Sequence, residues 1–159
     1  MGKSSCLVAI DPGASGGFCQ FVDGKAVWAW KFTTFSDFVA DILDLQENPD
    51  HSLEIVLEDV PPFAGKNIPS SRVFKLGVHC GFYQGVARGL QIPLHMVRPQ
   101  AWQKGLANVK SHSGSKKKRI LKDHALRLYP KLGKTVTLAT ADAVLIGHYH
   151  TTTTTHKHI

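Results

Sequence analysis

Cysteine is scarce in this chain, and its three cysteines, Cys6, Cys19 and Cys80, are widely spaced. An odd, scattered set makes neither a disulfide framework nor a clustered zinc motif. The three are read as ordinary apolar residues in a reducing compartment. Long apolar runs are also missing, since no stretch approaches the roughly 18 residues that a membrane-spanning helix needs. Residues 1–5 (MGKSS) lead straight into an apolar segment, without a secretory signal's long apolar region and cleavage site, so the expected location is cytoplasmic. Acidic residues are few, 12 against 19 lysines and arginines, which leaves a formal net charge of +7. That surplus favours a polyanionic partner, although a basic surface also serves solubility. No repeat or linker divides the 159 residues, and a hydrophobic fraction of 43% is enough for one domain with a real core.

What is present starts with residues 7–17, LVAIDPGASGG. Four apolar residues read as a buried strand that Pro12 and Gly13 stop. Asp11 therefore sits at the strand's end, where a carboxylate needs solvent, a cation or a hydrogen-bond donor. Taken alone, it reads equally well as the first residue of a Pro-Gly turn. Residues 16–22 and 25–32 are two further strands joined by Asp23-Gly24, a strong hairpin signal. Residues 35–45 have helical spacing, and residues 53–60 (LEIVLEDV) form an interior strand that ends before Pro61-Pro62. Glu58 repeats the setting of Asp11, so the two carboxylates converge if their strands are neighbours.

A helix is expected from Arg72 to about Leu90, capped by Ser70 or Ser71. It carries Gly77, Gly81, Gly85 and Gly89 on one stripe, which predicts close packing, against the sheet or against a second copy of the chain. Residues 93–97 are a short strand. The run Lys116-Lys117-Lys118-Arg119 opens the next helix, where it opposes the helix dipole unless an anion neutralises it or solvent screens it. A last helix over 137–150 carries Asp142 as its only acidic residue. Residues 151–159 read as a mobile polar tail, with no chemistry assigned to His156 or His158. Hard divalent cations favour carboxylate oxygens, and two such ions activate water and stabilise the leaving oxygen of a phosphodiester. A basic chain with three convergent acids fits that chemistry.

Several stretches carry a resemblance: AIDPGASGGF at 9–18, VLEDVPPFAGKN at 56–67, SSRVFKLGVHCGFYQGV at 70–86, VRPQAWQK at 97–104, the basic segment 115–130 and ATADAVLIGHYH at 139–150. In order and spacing they resemble a RuvC-type Holliday junction resolvase of the RNase H-like (retroviral integrase) superfamily, in a phage or bacterial form. The resemblance implies an α/β RNase H-like fold, a mixed five-stranded sheet flanked by helices, over residues 1–150. It implies a homodimeric endonuclease of DNA recombination and repair that cuts four-way junctions with Mg²⁺ or Mn²⁺, two ions per site, in a bacterial cell or phage-infected host. Asp11, Glu58 and Asp142 become the metal-binding catalytic carboxylates, with Asp11 bridging the ions. Phe63 resembles an aromatic that stacks near the junction crossover, Lys66 and Asn67 match a Lys-Asn pair, and Lys116, Lys117 and Lys118 match a basic region. Arg72, Lys75 and Arg119 complete the expected DNA-binding set.

One departure concerns a fourth ligand, a carboxylate or histidine that the family carries one turn before the last Asp. Here Leu138 and Ala139 stand there. His148 lies about 120° round the helix from Asp142, and Asp59 points to the other side of its strand from Glu58. Other readings are a branched-DNA binding module without cleavage, and a nuclease for flaps, forks or RNA–DNA hybrids. The DPGASGG loop also resembles the first phosphate loop of actin-like ATPases and sugar kinases, whose two lobes 159 residues cannot supply.

Overall fold

The computed structural model describes residues 2–61 and 68–155. Three strands, β1 (Ser4–Asp11), β2 (Gly17–Val22) and β3 (Lys25–Lys31), form an antiparallel meander. Asp23 and Gly24 make the tight turn with φ of 49° and 76°, the left-handed geometry that a two-residue hairpin loop requires. Helix α1 (Phe35–Glu47) follows. The Thr34 hydroxyl caps it by accepting from the Asp37 backbone N–H at 3.1 Å. Strand β4 (His51–Glu58) then runs parallel to β1, and β5 (Leu94–Val97) runs parallel to β4. The sheet order is β3-β2-β1-β4-β5, so the expected mixed five-stranded sheet is present.

Strand alternation divides the core into two layers. Val8, Ile10, Ile55 and Leu57 pack on one face with Phe38 and Ile42 of α1, and with Tyr83 and Ala87 of helix α2 (Ser70–Gly89). Leu7, Ala9 and Val56 face the other way. They meet helices α3 (Pro99–Trp102), α4 (Gly114–Leu128) and α5 (Ala141–Thr155). Asp11 and Glu58 share the parity of this second set, and Ile10 pairs with Leu57 in register. The two carboxylates thus leave neighbouring strands at the same end and on the same face.

Five expectations change. The glycine stripe of α2 does not pack against the sheet, because a Cβ on Gly77, Gly81, Gly85 or Gly89 would meet nothing within 4 Å among the described residues. The sheet instead takes His79, Tyr83 and Ala87, offset by two residues and so about 200° round the helix. Neither Ser70 nor Ser71 caps α2. Both lie inside it, and Pro69, extended at φ −56° and ψ 137°, occupies the cap position. The run of lysines falls just inside α4, which begins at Gly114, two residues earlier than expected. Finally, α5 starts at Ala141, not Thr137. The Thr140 hydroxyl donates to the Thr135 carbonyl at 2.6 Å and accepts from the Thr137 N–H at 2.8 Å, holding residues 137–140 in a turn. The same helix continues through Thr155, so residues 151–155 are helical where a tail was expected. The hydroxyls of Thr152, Thr153 and Thr154 donate back to carbonyls one turn earlier.

Gly17 is where this turn meets the sheet. A Cβ there would lie 2.8 Å from the Ala139 carbonyl oxygen and 2.9 Å from that of Trp30. Gly13, at φ 121°, opens the preceding loop. Gly17 thus serves a close approach inside the fold. Gly17→Ala is expected to cost about 1–3 kcal/mol in urea denaturation, because two backbone carbonyls have to move.

Candidate active site

Asp11 ends β1, Glu58 ends β4 and Asp142 occupies the first turn of α5, where the helix dipole favours an acid. Asp11 and Asp142 are buried. Lys118 of α4 reaches into the group, with Nζ donating to Asp142 Oδ2 at 2.6 Å. Trp102 closes another side, its indole Nε1 donating to Glu58 Oε2 at 2.6 Å. The remaining oxygen, Asp142 Oδ1, is buried with no hydrogen-bond partner among the described residues.

The electrostatics follow from burying three acids beside one ammonium. Burial, then the charges of Asp142 and Glu58, push the Asp11 carboxyl well above the usual range, and Lys118 offsets this only in part. Glu58 is pushed up to about 7, chiefly by burial, with the Trp102 hydrogen bond pulling the other way. Burial works against the Lys118 charge, but Asp142, Asp11 and Glu58 outweigh it and hold the ammonium above its ordinary range. Ionising all three acids would thus place excess negative charge in a low-dielectric place. Its oxygen-only donors and the orphaned Asp142 Oδ1 fit a hard divalent cation such as Mg²⁺ or Mn²⁺.

An open cleft of about 580 Å³ leads to Asp11, and Arg72, Lys75 and Lys118 are among its lining residues. Lys117 is near enough to Glu58 to lower its carboxyl. Lys116 and Arg119 are exposed on α4 and do not line this cleft. Phe63, Lys66 and Asn67, and the tail residues His156 and His158, lie outside the described residues. The place of a fourth ligand is filled by apolar residues: Leu138 is exposed, and Ala139 turns its carbonyl toward Gly17. His148 is engaged elsewhere, its Nδ1 2.8 Å from the Tyr129 hydroxyl. Asp59 points away as expected, 3.9 Å from Arg98 Nε.

Trp102 is the residue that sequence reasoning passed over. It lies in the VRPQAWQK stretch, yet only the fold puts its indole on Glu58. Trp102→Phe removes a hydrogen bond that favours ionised Glu58. The acid limb of any activity requiring that carboxylate is expected to move toward higher pH by about one unit, read from a pH–rate profile.

No family model and no curated protein sequence matches the chain. Solved structures do match. The structure of RuvC from T. thermophilus in complex with a Holliday junction substrate aligns over 97% of both chains, with a TM-score of 0.63 and 15% identity. A second structure of Thermus thermophilus RuvC aligns over 96% of both, with a TM-score of 0.63 and 18% identity. The fold is that of RuvC. At this identity the RuvC likeness speaks for the architecture, nearly end to end, while the chemistry rests on the residues of the cleft. Among the described residues no helix is long and apolar enough to cross a membrane.

Proposed function

We propose that this chain is a structure-specific DNA endonuclease that resolves four-way junctions by hydrolysing phosphodiesters with Mg²⁺ or Mn²⁺. One observation carries the reading: Asp11 lines a basic cleft with Glu58 and Asp142 close enough to act on it, and Asp142 Oδ1 has no partner among the described residues. In this proposal Asp11, Glu58 and Asp142 would hold the ions, with Asp11 shared between them. With no carboxylate at Leu138 or Ala139, water and substrate phosphate fill the other coordination positions. Bound there, the ions supply Lewis-acid stabilisation of charge at the scissile phosphate. Lys118 holds a phosphate oxygen once a cation relieves it of Asp142, and Arg72, Lys75 and Lys117 grip the backbone, with Lys116 and Arg119 on the outer surface of the same helix. Phe63, Lys66 and Asn67 extend the DNA contacts. A homodimer in the cytoplasm of a bacterial or phage-infected cell would present two such sites to opposing strands.

The test incubates labelled four-way, forked and linear DNA with the protein and either metal, beside Asp11→Asn. Paired nicks in the four-way junction, absent from the variant, are expected. Sedimentation should give twice the 17.4 kDa chain mass. Binding should weaken as salt rises, because phosphate contacts release counterions. The apolar Leu138 and Ala139 favour a second reading, a module that binds branched DNA without cutting. Tight junction binding without nicking in either metal would establish it, whereas faster cutting of forks would make the chain a fork nuclease.

A further inference from the structure

A second group of metal-ligating side chains lies away from the acidic cleft. Glu54 of β4, His95 of β5 and His150 of α5 each bring one ligand atom to a common place, all within 4.8 Å of one another. His95 Nε2 is 2.8 Å from Glu54 Oε2, and the two imidazole rings stand 4.6 Å apart between centres, tilted by 40°. Neither ring nitrogen of His150 makes a hydrogen bond among the described residues. The topology explains the meeting. His95 is opposite Val56 in the parallel pair, so its side chain shares a face with Glu54, and α5 lies over that face. Glu54 precedes Glu58 by four strand residues, about 13 Å. His150 follows Asp142 by eight helical residues, about 12 Å. Strand β4 and helix α5 thus each give one residue to the acidic cleft and one to this cluster.

We propose that Glu54, His95 and His150 form a second metal site, selective for an imidazole-preferring transition ion of the zinc class, that clamps the C-terminal half of α5 to the sheet. The donor types decide the class. Two imidazoles and one carboxylate are a zinc set, whereas Mg²⁺ takes oxygen ligands and is not held by such a group. A tetrahedral zinc with bonds of about 2.1 Å sets its ligand atoms roughly 3.4 Å apart, which small side-chain rotations reach from the observed separations. The three residues are only half-buried, and a cleft of about 400 Å³ beside Glu54 and His150 gives an entry path and room for water as the fourth ligand. The site does not depend on whether the acidic cleft cuts DNA.

Calorimetric titration of the chelator-stripped full chain with ZnCl₂, in 10 mM Mg²⁺, tests this. One zinc per chain is expected, with a rise in melting temperature. His95→Gln and His150→Gln should each weaken binding about tenfold or more. Asp11→Asn and the pair His156→Ala/His158→Ala should leave it unchanged. Binding that survives both His→Gln changes, or fails in the tail variant, overturns the proposal, as does no zinc binding at 100 µM. X-ray absorption at the zinc edge of the unaltered protein reads the shell without any variant: two imidazoles support the site, and one or none overturns it.

Discussion

Asp11→Asn is expected to stop DNA cleavage and, in metal-free buffer at pH 8, to raise the melting temperature. On the proposed function this charge would hold a cation, and in the metal-free protein it opposes folding. Asp11 is buried beside Glu58 and Asp142, and Lys118 offsets their charges only in part. Asparagine keeps the shape and removes one negative charge, so the apo fold gains by about 3 °C for each kcal/mol of repulsion relieved. Cleavage, which needs the charge to hold a cation, falls by about a thousandfold or more, roughly 4 kcal/mol of barrier. The pH dependence has a definite sign. Asp11 and Glu58 are both raised above their unfolded-state values, Glu58 to about 7. Groups raised in this way contribute stability that is full at low pH and is lost as pH rises through the folded-state value. The metal-free protein should therefore melt higher near pH 5 than at pH 8, with a smaller difference in Asp11→Asn and a smaller one again with Mg²⁺ present. A melting temperature that is flat from pH 5 to pH 8 would show that the acids do not share one buried site.

Lys118→Met should separate the two roles of the lysine. Its Nζ is 2.6 Å from Asp142 Oδ2, but the lysine side chain is 44% exposed. Losing it therefore costs less than the ~3–5 kcal/mol typical of breaking a fully buried pair; about 1–2 kcal/mol at pH 8 without metal is expected. On the proposed function the lysine would compete with a divalent ion for Asp142. Removing it should thus tighten Mn²⁺ binding in calorimetry, even as cleavage falls about a hundredfold for want of a charge on the phosphate. Weaker Mn²⁺ binding would mean that Lys118 organises the carboxylates and does not compete for them. The two outcomes move one measured constant in opposite directions.

Much of this architecture is a local property of the chain. The apolar run before Asp11, the Asp23-Gly24 turn and the run before Pro61 specify β1, the hairpin and β4, because period-2 burial and turn chemistry act over a few residues. From them alone it follows that Asp11 and Glu58 end strands, and parallel pairing then sets them side by side. The resemblance to RuvC-type resolvases, visible in motif order, reaches the same fold that the solved structures share.

Contacts between distant segments were decided only by the tertiary structure. Nothing near Asp142 in sequence says that its oxygen is orphaned, that Lys118 is the lysine of its run that reaches it, or that Trp102 holds Glu58 from 44 residues away. The α2 glycines do not meet the sheet, because a four-residue stripe marks one side of a helix without saying which side the sheet takes. Gly17 shows the converse. Its meaning comes from Ala139, more than a hundred residues later, whose carbonyl leaves no room for a Cβ. Glu54, His95 and His150 also carry no local signature, since they come from two strands and a helix. Sequence periodicity determines which face a residue takes. Which partner it meets there depends on how the layers close, and that is a property of the whole fold.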